Sequence, residues 1–531
     1  MPKNVPEKYV FLHILLVESI RIAALLHDIG HPPFSHVIEF ALKDIYEKLK
    51  EKTSSLNAKE KEFFDCIEKY FNSSHKLHEE MGNEIVQTLL KSFINRESST
   101  SDFDFFICSI VKKILNDNGY FVELHRIIDG IVDSDRLDYV SRDPKNSGLK
   151  FESIEIERII NDTKIFLQNG EINFVFSIKA LSSIEIFLKQ RFYLYKYILY
   201  HHRVLKTDML LRNSVERLIE DYFSKEYDSN FGNDENEIPN NIAGLWYPLN
   251  KVSTIEKANA LSQWNDSWLI VILRKIYFSE YYLKELNNDK YIIYCQLNEL
   301  LQNDRHYFPL IKRYIDYKVL DDQIKFYFEN DKNFDIIEKR IKKLESKFKT
   351  GEKDTVTINP ILKLIRSLHG EISGSTLYCI YFIESLFDQV MEESKKENKI
   401  EKIQEQVQTT IINTVKEMFG EKYQDTMVLF KKISNGLESK SKVLFYDDYD
   451  NLHCLDDVSP VITLLSEDAK FWPAFHVYIL VHNDIKIDKE ALLKQIGINI
   501  AKVVLETISR MLAILLLKNK KKKGKEEYVS N

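Results

Sequence analysis

Apolar residues recur every three or four positions along most of this chain, and only a few short stretches alternate or run together. "ESIRIAALLHD", residues 18–28, has the helical spacing and gives way at Gly30, a residue suited to closing a helix, with Pro32 and Pro33 barring continuation. The same spacing predicts helices over 78–94 and over 177–223. The second is too long for one straight element and is expected to bend or break. Strand patterns are few. An Asn169-Gly170 pair between β-rich flanks predicts a hairpin over 164–177, a second hairpin is expected over 442–455, and "AFHVYILV" (474–481) reads as a strand. Polar stretches at 224–241 and 349–355 mark boundaries, whereas 392–406 reads as a charged helix face, and there is no internal repeat. The expected organisation is a helical core over 1–223, a helical extension over 242–348, and a helical or α+β region over 356–531 that ends in a basic tail at 518–525. The fold class is therefore mainly α, with one or two small β-hairpins and a small α+β C-terminal region.

The charge balance narrows the function. With 74 Lys and Arg against 81 Asp and Glu, the net charge of -7 argues against a protein whose main business is coating nucleic acid, although local basic patches could still bind nucleotides. The cysteines (Cys66, Cys108, Cys295, Cys379, Cys454) show no CxxC spacing, so neither a disulfide framework nor a thiolate zinc site is expected. The first residues do not form a secretory signal, and a cytoplasmic location is expected. The best apolar run, 496–517, is interrupted by Lys502, Glu506 and Arg510 and reads as an amphipathic helix, so no membrane span is expected. The lysine run behind it is expected to be a solvated, disordered end.

Two segments carry the chemistry. "ALLHDIGHPPFSH" (24–36) sets His27 and Asp28 side by side where a helix should end, with His31 and His36 close behind. "DSDRLDYVSRDP" (133–144) would, as a helix, line Asp135, Asp138, Tyr139, Arg142 and Asp143 along one face, with Ile131, Leu137 and Val140 on another and Pro144 ending the element. Alone, that polar face would be a solvated one with internal Arg-Asp pairs. Together the segments offer an imidazole from His27 and carboxylates from Asp28 and Asp135, a mixed N/O set suited to Mn, Fe, Mg or Zn. His31, His36 and His78, with Glu39 one turn after His36, supply proton-transfer partners and phosphate donors.

"HDIGHPPFSH" followed by "DRLDYVSRD" resembles the HD-domain metal-dependent phosphohydrolases, and within them the branch that hydrolyses deoxynucleoside triphosphates. The resemblance runs through roughly residues 20–215, taking in "LHEEMG" (77–82) and "RFYLYKYILYHHRV" (191–204), and becomes fainter beyond. It implies an HD-type helical core and a single divalent ion on His27, Asp28 and Asp135. It casts His36 as the phosphate-proximal histidine and His78 as a catalytic histidine oriented by Glu39. Arg136 and Tyr139 would touch phosphate and sugar, Asp143 the deoxyribose hydroxyl, and Arg191, Tyr200 and His202 the nucleotide pocket. It also implies a homo-oligomer. The expected reaction is dNTP to deoxynucleoside plus triphosphate. The alternatives are a phosphodiesterase or nuclease using the same ion, with nucleic acid a less favoured partner, and a non-catalytic nucleotide-binding protein. One feature departs from the family: a further metal histidine normally lies well upstream of the His-Asp pair, and here His13 is the sole candidate. On a continuous helix it would sit about 21 Å from His27 at ~1.5 Å per residue, too far to share an ion. A shortened N-terminus, or a fold that has lost one ligand, are the two explanations.

Overall fold

A computed structural model describes residues 6–72, 76–94, 101–116, 121–168, 171–225, 238–250, 261–332, 334–339, 403–430, 443–469, 471–482 and 486–529. The chain is mainly helical, and its segments gather into two compact units that interleave along the sequence instead of following one another. The first comprises 1–194, 206–304 and 436–459; the second comprises 195–205, 305–435 and 460–531. The three consecutive segments expected from the sequence therefore cut across this grouping.

In the first unit, α1 (Val10–Leu26), α2 (His36–Lys50), α3 (Ala58–Phe71), α4 (Leu77–Ile94), α5 (Ser101–Leu115) and α6 (Ser134–Asn146) follow in order. The apolar positions of α2, among them Ile38, Leu42, Ile45 and Leu49, are buried with Phe63, Ile67 and Tyr70 of α3 and with Met81 and Ile85 of α4. A smaller core joins Leu15 and Ala23 of α1 to Val86 and Leu90 of α4 and to Val111 and Ile114 of α5. Helix α1 runs unbroken past His13, so His13 and His27 are held apart as the sequence predicts. The stretch Glu7–Leu26 is also the one helix among the described residues long and apolar enough, by length and composition, to cross a membrane. The 496–517 run is not, and α1 leaves Phe11, Leu12 and Leu25 exposed while burying Leu15, Ser19 and Ala23.

Both expected hairpins form. Strands β1 (Thr163–Gln168) and β2 (Glu171–Ser177) pair antiparallel, and β2 pairs in parallel with β5 (Leu444–Tyr446), which pairs antiparallel with β6 (Leu452–Cys454). The turn residues 169–170 themselves lie outside the described residues. The long helical pattern of 177–223 breaks as expected into α7 (Leu181–Leu194), a π-helical turn (Tyr195–Leu199) and α8 (His202–Ser224). Pro144 does not end α6. Being in the last turn, its missing N–H costs a single bond, its ring is buried, and the helix continues to Asn146.

The second unit is α+β. Its sheet has the order β3-β7-β4, all antiparallel, with β3 (Phe308–Ile311), β4 (Tyr423–Phe430) and β7 (Phe475–Val481). Helices α9 (Tyr314–Asn330), α10 (Ile403–Phe419) and α11 (Lys489–Val529) contribute Tyr317, Leu320, Ile411, Val415, Ile496 and Ile500 to its core. Residues 349–355 and nearly all of 392–406 lie outside the described residues. The lysine-rich tail, expected to be unstructured, is the end of α11. Lys and Leu are good helix formers and no proline interrupts them.

The central position of β7 explains why it reads as an unbroken apolar run, since both its faces are covered. His476 is the exception. It is fully buried, and beyond an approach to the Ile311 backbone its ring nitrogens find no hydrogen-bond partner among the described residues. Burial, aided by the nearby His202 and His201 and opposed by the Ile311 backbone, lowers its pKa to about 4. Between pH 4 and 6.5 the unfolded chain therefore binds the proton that the folded chain refuses, and stability is lost as pH falls through that window. At ~1.4 kcal/mol per pKa unit, the loss attributable to His476 is about 3 kcal/mol. Thermal midpoints measured from pH 7 to pH 4.5 should fall more steeply for the native chain than for His476→Leu. Parallel slopes would refute this assignment.

Candidate metal centre and catalytic histidines

Helix α1 ends at Leu26, and the residues the sequence marks for chemistry occupy the turn beyond it. His27 Nδ1 donates to the Ala24 carbonyl at 2.8 Å, which fixes the ring and leaves Nε2 open, 3.3 Å from Asp28 Oδ2. The other Asp28 oxygen, Oδ1, lies 3.4 Å from His31 Nε2. A hydrogen bond from His31, working against partial burial, holds the Asp28 carboxyl below its ordinary range. Asp135, in the first turn of α6, is near enough to feel both partners. Burial raises its pKa, His27 lowers it and Asp28 raises it again. Two acids and an imidazole so placed repel in part and attract in part, an arrangement that a divalent cation would relieve. Among the described residues, however, the donors gathered closely enough to hold an ion are the imidazoles of His31, His36 and His78, one ring nitrogen from each lying within 4.8 Å of the others.

The next turn is strained. Phe34 and Ser35 both have positive φ (56° and 52°) without being glycine, which costs of order 1–3 kcal/mol each. The Phe34 N–H donates to Asp266 Oδ1 at 2.7 Å, a contact spanning 232 residues that pins the turn. The result is that His36 opens α2 facing His31 and His78. Their ring centroids are 5.0 Å and 4.9 Å from that of His36, and His31 stacks on His78 at 4.1 Å.

Glu39 organises this group. It is a buried carboxylate whose Oε1 accepts the Leu77 backbone N–H at 3.0 Å. Its Oε2 takes His78 Nδ1 at 2.8 Å and His36 Nδ1 at 3.3 Å. Burial works against its charge, but the hydrogen bonds from His36 and His78 prevail and hold it well below the usual carboxylate range. His31 Nδ1 is met in turn by Ser35 Oγ at 2.9 Å.

Other expected site residues are placed differently. Arg136 is bound by two acids, Asp133, whose side chain caps α6, and Asp129 at 3.1 Å. Neither acid was singled out from the sequence, although an aspartate just before a helix start is a recognisable cap. Asp133 is buried, which raises its pKa to about 6 against the pull of Arg136. Asp143 accepts from Arg142 at 3.3 Å and Arg142 reaches Asp138 at 2.6 Å, so part of this face makes the internal Arg-Asp pairs of an ordinary solvated helix. Tyr139 is half-buried on the same helix. Arg191 is buried in α7 within the first unit, whereas Tyr200 and His202 belong to the second. There burial raises the Tyr200 pKa, and burial with the charges of His201 and Lys312 lowers that of His202 to about 4.

Residues 14–99, which include every member of the His27–Glu39 and His78 group, match the model of the HD domain. Over that stretch the chain is similar to the HD domain. The HD domain binds divalent metal ions, consistent with the donors gathered here. An uncharacterized protein of Methanocaldococcus jannaschii is 27% identical over 207 residues, 39% of this chain and 35% of that protein. An uncharacterized protein of Mycoplasma genitalium is 24% identical over 199 residues, covering 36% and 40%. The chain thus spans well under half the length of these curated relatives. Among solved structures, a phosphohydrolase from Bacteroides thetaiotaomicron aligns over 88% of this chain and 80% of its own, at 14% identity and a TM-score of 0.45.

Proposed function

We propose that the chain is a metal-dependent phosphohydrolase acting on nucleotides, with dNTP to deoxynucleoside plus triphosphate as its reaction. The observation that carries this reading is the pairing of a His-Asp donor set with two imidazoles backed by one buried carboxylate, Glu39. His27, Asp28 and Asp135 would hold the divalent ion, which when bound draws charge from a phosphoryl oxygen. Because Glu39 accepts at Nδ1 of both His36 and His78, each ring is left to exchange protons through Nε2. His36, the more exposed of the two, would meet the substrate phosphate. His78 would deliver a proton to the departing 5′-oxygen as water adds to the α-phosphorus and the P–O5′ bond breaks. Arg136, Tyr139 and Asp143 would approach the phosphate and sugar, with Arg136 exchanging its exposed partner Asp129 for the ligand. Arg191, Tyr200 and His202 are assigned to the nucleotide by the family resemblance alone.

The test is product analysis of the purified chain with each of the four dNTPs and Mn²⁺, beside His27→Ala. Deoxynucleoside and intact triphosphate from the native chain, absent from the variant, is the expected result. Equal product from both would overturn the ion's placement. Nucleotide-dependent stabilisation without any product would assign the chain to nucleotide binding instead.

A further inference from the structure

We propose that Asp129 is an intramolecular competitor of phosphate at Arg136, a carboxylate that limits how tightly the site holds a polyphosphate and returns to the guanidinium as product leaves. The inference rests on the phosphate-facing role that the proposed function gives Arg136.

Two acids meet the one guanidinium, and they are unlike. Asp133 is buried, its side chain 1% exposed. Its Oδ1 accepts the Arg136 backbone N–H at 2.6 Å, while its Oδ2 accepts the Gly130 N–H at 2.8 Å and pairs with Arg136 Nη1. That carboxylate is held from two backbone positions and suffices to fix the arginine at the start of α6. Asp129 is 62% exposed and meets the other nitrogen, Nη2, at 3.1 Å. Anchoring Arg136 does not need this second acid, and what it does is neutralise the guanidinium edge that Asp133 leaves open.

The approach of Asp129 is nevertheless built into the backbone. The N–H groups of Ile128 and Asp129 both donate to the His125 carbonyl, at 2.8 Å and 2.9 Å, and the Ser134 N–H closes the turn on the Ile127 carbonyl at 2.9 Å. A Cβ on Gly130 would stand 2.5 Å from the Arg126 carbonyl oxygen, so the tight path between Asp129 and Asp133 requires glycine. Arg126, the cation three positions before Asp129, pairs with Glu123 instead.

The consequence is electrostatic. One cation and two carboxylates leave net negative charge where a phosphate has to arrive. An exposed ion pair is weak and an Arg–phosphate contact is stronger, so a polyphosphate displaces Asp129, but at a cost that an open guanidinium would not impose. The displaced carboxylate stays on its turn beside the new anion and repels it. Both effects weaken the binding of substrate and of triphosphate product, the repulsion growing with the charge of the ligand, and they shorten the time that triphosphate occupies the site.

The experiment is calorimetric titration of the full chain with inorganic tripolyphosphate, and separately with inorganic phosphate, at one fixed Mn²⁺ concentration. Asp129→Asn should bind tripolyphosphate roughly three- to tenfold tighter than the native chain, with a smaller gain for phosphate. In an Arg136→Gln background the gain should shrink toward unity, because the competitor then has nothing to compete for. Arg136→Lys, which keeps the charge but cannot hold two acids as a fork, takes its place should Arg136→Gln lack native circular dichroism. An Asp129→Asn variant that melts lower and binds tripolyphosphate as the native chain does would make the pair structural and overturn the inference, leaving the proposed function standing. A gain that persists undiminished without Arg136 would also overturn it, as repulsion alone. Native affinity in Arg136→Gln would overturn both the inference and the part given to Arg136 in the proposed function.

Discussion

Replacing Gly30 with alanine should destabilise the protein by about 3 kcal/mol or more and abolish metal binding together with hydrolysis. A Cβ at this position would lie 2.1 Å from the His78 carbonyl oxygen and 2.2 Å from the Gly82 nitrogen. Both are backbone atoms of α4, so no side chain can swing aside, and the helix itself must retreat. The first turn of α4 carries His78, whose bond to Glu39 tolerates little displacement at 2.8 Å. A shift of an ångström would separate the ring from Glu39 and open the cluster with His31 and His36. Gly82→Ala is the built-in contrast. A Cβ there meets nothing closer than 3.6 Å, and alanine inside a helix gains up to about 1 kcal/mol over glycine. Denaturant unfolding of the two variants should therefore move in opposite directions. If Gly30→Ala unfolds with the native midpoint, the close packing of the 27–30 turn against α4 is not as described.

The role of Gly30 shows how the sequence informs and where it stops. Gly30 reads as a helix terminator, but α1 already ends at Leu26 with His27 as its cap, and the constraint on Gly30 comes from α4, a helix nearly fifty residues away in the chain, which no local pattern carries. The hairpins at 164–177 and 442–455 are legible because alternation and turn residues are local properties. Strand β7 is legible because a central strand must be apolar on both faces. Strands β3 and β4 are not. Pro309 interrupts the one, Gln424, Asp425 and Thr426 interrupt the other, and both are extended because they pair with β7. At the site, the cluster of His27, Asp28, His31, His36 and Glu39 is visible in one short stretch, and His78 is placed by resemblance and then by the buried Glu39. The sequence casts His31 as a spare proton-transfer partner, and the structure sets its ring between Asp28 and Ser35. Asp266, which secures the strained turn from 232 residues away, could not have been found, since a single long-range hydrogen bond leaves no periodic trace.

Glu39→Gln should lower kcat by about a hundredfold to a thousandfold, with KM changed far less and the ion on His27, Asp28 and Asp135 retained. The substitution keeps the shape of the side chain and the oxygen that accepts the Leu77 N–H. It replaces Oε2 with an NH₂ group, which cannot accept the Nδ1–H of either His36 or His78. One or both rings must then turn or change tautomer, and the nitrogens meant for phosphate and leaving group lose their alignment. A buried donor set against two donors also costs stability, of order 1–3 kcal/mol, which a thermal melt would register. The pH dependence separates this positioning role from that of a titrating acid. With its pKa held far below the ordinary value by the two histidines, Glu39 stays charged in the native protein throughout the working range, so its own ionisation adds no limb to the rate profile. Its stabilising effect, for the same reason, is whole above the unfolded pKa of ~4.5 and is lost only as pH falls into strong acid. A variant with native kcat would show that neither imidazole needs its Nδ1 held. A variant that loses bound Mn²⁺ together with its activity would show instead that Glu39 supports metal binding and not only the alignment of proton carriers.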